Sequence, residues 1–269
     1  SDLRRQRQMC IRDSHKGDNK MKNNNKLLAF ISLVLSLSII FAGTNVYAET
    51  TFEKIKRTGK VTVGTEAAFP PFEFVEDGKI VGYGKDILDY IIADMGVELN
   101  QLDLPWQGIL PGVLAGKFDF VATSVSIRAE RAKKYAFTVP IAEGTNWVMK
   151  RSGDSSIMSP DDLSGKVVCT QLASGSEKAT KEWEADMKSR GLKGYKELKL
   201  FTAHPEATLA LANGTCDAQT QTVPNLAVVA KKQKGVFELV GPITDKTYMA
   251  WVTRPVPYTH LTLPTKVTV

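Results

Sequence analysis

Short β-rich runs alternate with segments of helical periodicity along most of this chain, and that alternation confines it to α/β architectures. Residues 61–64 read as a strand, and from 86 to 95 the residues Ile87, Leu88, Ile91, Ile92 and Met95 recur at helical spacing, with Gly96 as the stop. Strand 99–104, helix 107–115 and strand 119–123 follow. The alternation resumes with strands 146–150 and 166–171, helix 176–190 closed by Gly191, and strand 198–201. Helix 204–212 carries Pro205 in its first turn, and strand 216–221, helix 224–232, strand 236–240 and strand 248–253 complete the series. The blocks on either side of Ala142-Glu143-Gly144-Thr145 are alike in style, which predicts two lobes.

The first 48 residues carry a different pattern. From Met21, a polar, basic stretch (Lys22, Asn23 to Asn25, Lys26) precedes an apolar run over 27–42, and Val46-Tyr47-Ala48 places small residues at cleavage positions. This is the pattern of a secretory leader cut after Ala48; a membrane anchor is the alternative, for which the apolar run is short. No cysteine follows as a lipid attachment site. Residues 1–20 are basic and stand upstream of an already complete leader, and both they and the tail at 255–269 resemble translated sequencing-adaptor artefact. Both flanks are expected to be non-native.

The 269-residue chain carries a formal charge of +6, but residues 49–254 hold 26 Lys+Arg and 26 Asp+Glu and are formally neutral. The surplus lies in the leader and flanks, so it gives no support to a nucleic-acid partner, and no basic stripe interleaved with aromatics is present. Catalytic patterns are sparse. His204 is the sole histidine outside the flanks, placed before a proline where a surface helix-start residue is expected, so a histidine-based triad or metal site has little to build on. Gly82-Tyr83-Gly84-Lys85 lacks both the third glycine of a dinucleotide loop and the Gly-Lys-Ser/Thr of a P-loop. Cys169 and Cys216 form an even pair on two expected parallel strands: either a disulfide or two buried free thiols.

One segment carries chemistry. Gly116-Lys117-Phe118-Asp119 leads into Thr123-Ser124-Val125-Ser126 and then, on a new helix, Arg131. Hydroxyls and backbone N–H groups beside a fixed guanidinium make a carboxylate receptor, because the planar fork holds both oxygens of the anion.

Val61-Thr62-Val63-Gly64-Thr65, Pro70-Pro71-Phe72-Glu73-Phe74, Gly82-Tyr83, Trp106-Gln107-Gly108-Ile109-Leu110-Pro111, Gly116 to Asp119, Thr123 to Arg131 and Phe137-Thr138-Val139-Pro140 occur in the order that resembles family 3 bacterial extracellular solute-binding proteins. The resemblance runs from about residue 52 to 251. It implies a two-lobed periplasmic binding protein clamp joined by a two-strand hinge, with lobe 1 at 49–141, lobe 2 at 142–248 and a return strand at 249–254. The helices that complete the first lobe in this family are expected to be missing. It further implies a monomer without cofactor or metal, periplasmic, that captures an amino acid or related small carboxylate and delivers it to an inner-membrane ABC permease.

On matching positions, Arg131 is expected to hold the ligand carboxylate, with Thr123, Ser124 and Ser126 beside it. Ser174 and Gly175 form a second anion-binding turn in which Gly175 replaces the family's usual threonine. Glu66, Phe69 and Trp106 face the ligand side chain. Thr222 stands where the family usually places the aspartate that pairs with an α-ammonium, so an α-amino acid is not assured. Two other readings remain: an enzyme on the same clamp, such as a cyclohexadienyl dehydratase, with Glu66 or Glu177 as general acid or base, and a detached sensor module.

Overall fold

The computed structural model describes residues 49–255; the expected leader at 21–48 and the flank at 1–20 lie outside the described residues, as does the tail beyond Pro255. The first element, α1 (Thr51–Thr58), starts at a capping box. The Thr50 hydroxyl accepts from the Glu53 N–H at 3.2 Å and the Glu53 carboxylate accepts from the Thr50 N–H at 2.8 Å. Left-handed Gly59 ends it and feeds β1 (Lys60–Thr65). A small antiparallel sheet of β2 (Ala68–Phe69), β3 (Glu73–Glu76) and β4 (Lys79–Val81) interrupts the alternation before α2 (Tyr83–Met95).

β5 (Glu98–Asp103) pairs in parallel with β1 along its full length, Lys60 opposite Glu98 through Thr65 opposite Asp103. α3 (Trp106–Leu114) then leads to β6 (Phe120–Ser126), parallel to β1 on its other side. After the one-turn α4 (Ala129–Ala132) come β7 (Ala136–Phe137) and β8 (Ala142–Glu143). The chain's last strand, β14 (Tyr248–Thr253), returns to this sheet antiparallel to β6, giving the order β5-β1-β6-β14-β7 with β8 also on β14. Val121, Ala122 and Val125 of β6 are fully buried on both faces, as a central strand covered on both sides demands. Ile55, Val61, Val63, Leu88 and Ile92 pack on one face; Trp106, Ile109, Val113, Phe118 and Val125 pack on the other.

The second sheet is built from β9 (Asn146–Arg151), β10 (Val167–Gln171), β11 (Glu197–Phe201), β12 (Ala218–Thr222) and β13 (Phe237–Pro242) in the order β11-β10-β12-β9-β13. β10 runs parallel to β11 and β12, and β9 is antiparallel to β12 and β13. A short 3-10 turn (Pro160–Leu163) precedes β10; α5 (Gly175–Ser189), α6 (His204–Ala212) and α7 (Val223–Lys232) connect the strands. Val148, Leu163, Val168, Ala179 and Met187 form the core on one face; Met149, Leu211, Leu226 and Phe237 form it on the other.

Two antiparallel connections join the sheets, one running from β8 into β9 and the other from β13 into β14. The Gly144 N–H donates to the Thr247 carbonyl at 2.8 Å, and Glu143 pairs with Tyr248. Gly144 has no room for a side chain there: a β-carbon would stand 2.6 Å from Met249 Cγ. Of the two alternatives for the cysteine pair, the structure shows the free thiols and not the disulfide: Cys169 and Cys216 are both free and buried. Cys169 lies opposite Gln219 in the β10–β12 register, and Cys216 precedes the strand. The Cys169 thiol instead donates to the Ala218 carbonyl at 3.4 Å or the Ala207 carbonyl at 3.5 Å, and burial pushes its pKa up. Among the described residues, no helix is long and apolar enough to cross a membrane.

Candidate functional site

The C-terminal ends of the parallel strands in both sheets converge on one interlobe cavity, the place where open α/β sheets gather polar groups. Beyond β1 comes Glu66, at the end of β6 stand Thr123, Ser124 and Ser126, and at the end of β10 stands Gln171. Ser174, Gly175 and Ser176 open α5, His204 opens α6, Trp106 opens α3 and Thr222 ends β12. Phe69 and Met249 complete the lining. All ten residues singled out as ligand-facing in the sequence therefore meet in one cavity, of about 20 Å³. That is room for about one water, so the two lobes are closed on each other.

Among the described residues, Arg131 is the only Lys or Arg lining the cavity and Glu66 the only Asp or Glu. The Arg131 guanidinium donates to the Ser126 carbonyl at 3.2 Å and the Ala173 carbonyl at 3.5 Å, and lies 5.3 Å from the Trp106 ring. Burial, reinforced by the neighbouring Arg128, lowers its pKa to about 10, which leaves it charged at neutral pH. Among the described residues no acid forms an ion pair with it; its geometry is that of a cation held in place by carbonyls.

Several groups differ from what their residue types promised. The Thr123 and Ser124 hydroxyls turn away from the cavity and donate to the buried Glu73 carboxyl at 3.3 Å and 3.1 Å. Desolvation pushes Glu73 up to about 8 against the lowering effect of these bonds. Ser174 caps α5: its hydroxyl accepts from the Glu177 N–H at 3.0 Å and donates to the Gln171 carbonyl at 2.7 Å. Its proton is thereby committed, and the open donors of that turn are the backbone N–H groups of Gly175 and Ser176. The threonine usual in the family does not fit at Gly175, where a β-carbon would overlap Ser126 Oγ.

Glu66 is 7% exposed, so it is a wall residue and not a solvated rim residue. Burial raises its pKa to about 7, the Gln171 hydrogen bond from the other lobe opposes the shift, and Asp103 adds to it. Glu177 lies outside the cavity lining and is bound to Lys181. Phe69 stacks on Phe72 with centroids 5.6 Å apart and meets His204 at 5.5 Å. His204 is 5% exposed, which corrects the expectation of a surface residue. Thr222 Oγ1 is buried without a hydrogen-bond partner among the described residues. Gln171, Ser176 and Met249, together with Glu73 behind the wall, were not singled out as ligand-facing in the sequence, and His204 was placed at the surface. Only the position of Gln171 at the end of a predicted strand signalled one of them.

Two α/β lobes closed on a polar cavity at their strand ends define a solute-binding clamp. The model of the family described as bacterial extracellular solute-binding proteins, family 3, matches residues 61–246, and the chain belongs to that family. A Haemophilus influenzae protein named a probable amino-acid ABC transporter-binding protein is 29% identical over 167 residues, 62% of each chain. The chain thus spans less than two thirds of that relative's length. Among solved structures, an ancestral arginine-binding protein bound to arginine is 32% identical with a TM-score of 0.65, covering 73% of this chain and 84% of that one. An ancestral amino-acid-binding protein described as a precursor of cyclohexadienyl dehydratase is 27% identical with a TM-score of 0.67, covering 76% and 86%.

Proposed function

We propose that the protein captures an amino acid or related small carboxylate between its lobes, without turning it over, and hands it to an ABC importer in the inner membrane. The observation that carries this reading is Arg131, a half-buried guanidinium in the cavity wall that the described residues leave without an acidic partner. Such a charge favours an anion that brings two oxygens to it. The Gly175 and Ser176 N–H groups at the start of α5 add a second set of donors, and the name of the H. influenzae relative supports the transport role. In this reading the leader at 21–48 directs a monomer to the periplasm, and Thr222 Oγ1 is a neutral partner for the ligand's amine or hydroxyl.

The test is a thermal-shift and calorimetric screen over amino acids and their des-amino analogues. A binding protein shows a saturable rise in melting temperature with one class of carboxylate and returns that ligand unchanged. Arg131→Ala is expected to abolish the response, and a response that survives the substitution refutes the carboxylate assignment. A second reading is favoured by one specific group: Glu66 at about 7 has the pKa of a general acid or base, and a structural neighbour is a dehydratase precursor. Chemical conversion of prephenate or arogenate would establish that enzyme instead.

A further inference from the structure

His204 is buried in the cavity wall, and among the described residues its Nδ1 has no hydrogen-bond partner. Its backbone carbonyl is in use, accepting from the Thr208 hydroxyl at 3.2 Å and the Gln219 amide at 3.4 Å, while the ring is left open. The ring reaches across from the second lobe to meet Phe69 of the first at 5.5 Å, tilted by 35°. Burial holds its pKa down at about 3, so at neutral pH it is an uncharged imidazole with one nitrogen lone pair. A buried polar atom without a partner destabilises the empty site; a binding site recovers that when the ligand supplies the missing group.

The neighbouring chemistry decides which group that is. Glu66 presents a carboxyl on the same cavity, and the Gln171 amide that shares this side has both its known bonds as a donor, to Glu66 and to the Thr202 carbonyl at 3.1 Å. Beside Glu66 and His204, acceptors are in surplus and the Gln171 amide hydrogens are committed. An apolar terminus would leave Nδ1 unpaired, and a carboxylate terminus would set its lone pairs against those of Glu66. A planar group bearing N–H satisfies both acceptors and lies flat on Phe69.

Resting on the receptor reading, we propose that His204 is a specificity-determining residue, whose Nδ1 accepts a hydrogen bond from a guanidine, amidine or carboxamide N–H at the end of the ligand remote from its carboxylate. The full chain is titrated by calorimetry with arginine and glutamine as donor-bearing probes and with norleucine and glutamate as donor-free ones. The wild type is expected to favour a donor-bearing probe by about tenfold or more, as sites built to hydrogen-bond a ligand group do. His204→Phe keeps a ring against Phe69 but no acceptor, and should bring the two kinds of probe to near parity without weakening norleucine. His204→Asn keeps a polar atom near the Nδ1 position and should retain most of the preference. Independently of either variant's folding, the Nδ1 nitrogen-15 resonance of His204 in the wild type should move on saturation with the preferred probe. Equal binding of donor-bearing and donor-free probes, a preference that survives His204→Phe, or an unmoved Nδ1 resonance each overturns the assignment while the receptor reading stands. No response to any carboxylate overturns both.

Discussion

Glu73 holds the cavity's hydroxyl wall from behind, taking bonds from Thr123 and Ser124 with no exposed surface, beside Glu66. With its pKa raised from 4.5 to about 8, the native state keeps a proton at this site that the unfolded chain has already released across that window. Stability therefore falls as pH rises from 4.5 towards 8, by about 1.4 kcal/mol per pH unit where the difference is a full proton. Glu73→Gln, which keeps an oxygen to accept from the hydroxyls, should reduce that slope in urea unfolding at pH 5.5 and 7.5 to the part contributed by Glu66, whose pKa is raised to about 7; an unchanged slope would show that Glu73 is ionised in the native protein. Such a residue is hard to read from sequence because its type predicts a solvated charge. His204 failed for the same reason: a His-Pro pair at a helix start looks like a surface cap, and only the aim of α6 into the cleft buries it. The meeting of Arg131, Glu66, Phe69 and Trp106 in one cavity was legible because an ordered series of motifs placed them, whereas the direction in which Thr123 and Ser124 spend their hydroxyl protons was not.

At the scale of elements, the two lobes open a parallel strand pair with the same device. Asp119, just before β6, donates its N–H to the Thr62 carbonyl at 2.7 Å and accepts the Thr62 N–H on its carboxylate at 2.9 Å. Asp217, just before β12, does the same to Val167, at 2.8 Å in both bonds. Each aspartate thus closes both polar groups of a residue on the neighbouring strand, Thr62 or Val167, at the point where the ladder between the two strands begins. Asp119 is 2% exposed and also pairs with Lys54 at 2.7 Å, while Asp217 is partly exposed. Asp119→Ala should therefore destabilise by about 2 kcal/mol, leaving a Thr62 N–H unpaired, and Asp217→Ala by less because water reaches its site. Equal losses in urea unfolding would contradict the burial argument. The strands so pinned were legible as buried β-rich runs, and 204–212 and 248–253 carry the bounds read from sequence. The β2 to β4 sheet was not, since strands of two to four residues are too short to show a period.

Across the whole molecule, closure rests on contacts flanking the cavity as well as on those within it. The Asn225 amide donates to the Pro70 carbonyl at 2.6 Å, and the Gln107 amide to the Thr202 carbonyl at 3.0 Å. Each bond joins the first lobe to the second, and neither Asn225 nor Gln107 lines the cavity. Arg128 makes a third such link to the Gly175 carbonyl. A ligand larger than one water enters only when these bonds part; in a clamp that stands open before capture they form only once the ligand is held, and each then raises affinity by favouring the closed population without touching the ligand. With a net worth of about 0.5–1.5 kcal/mol per bond, the double variant Gln107→Ala and Asn225→Ala should weaken ligand binding roughly tenfold. The loss should appear in the dissociation rate, because encounter with the open clamp precedes formation of these bonds. Stopped-flow binding separates the rates: a slowed association with unchanged dissociation would mean that the two amides act before capture, on the shape of the open clamp, and not as latches on the closed one.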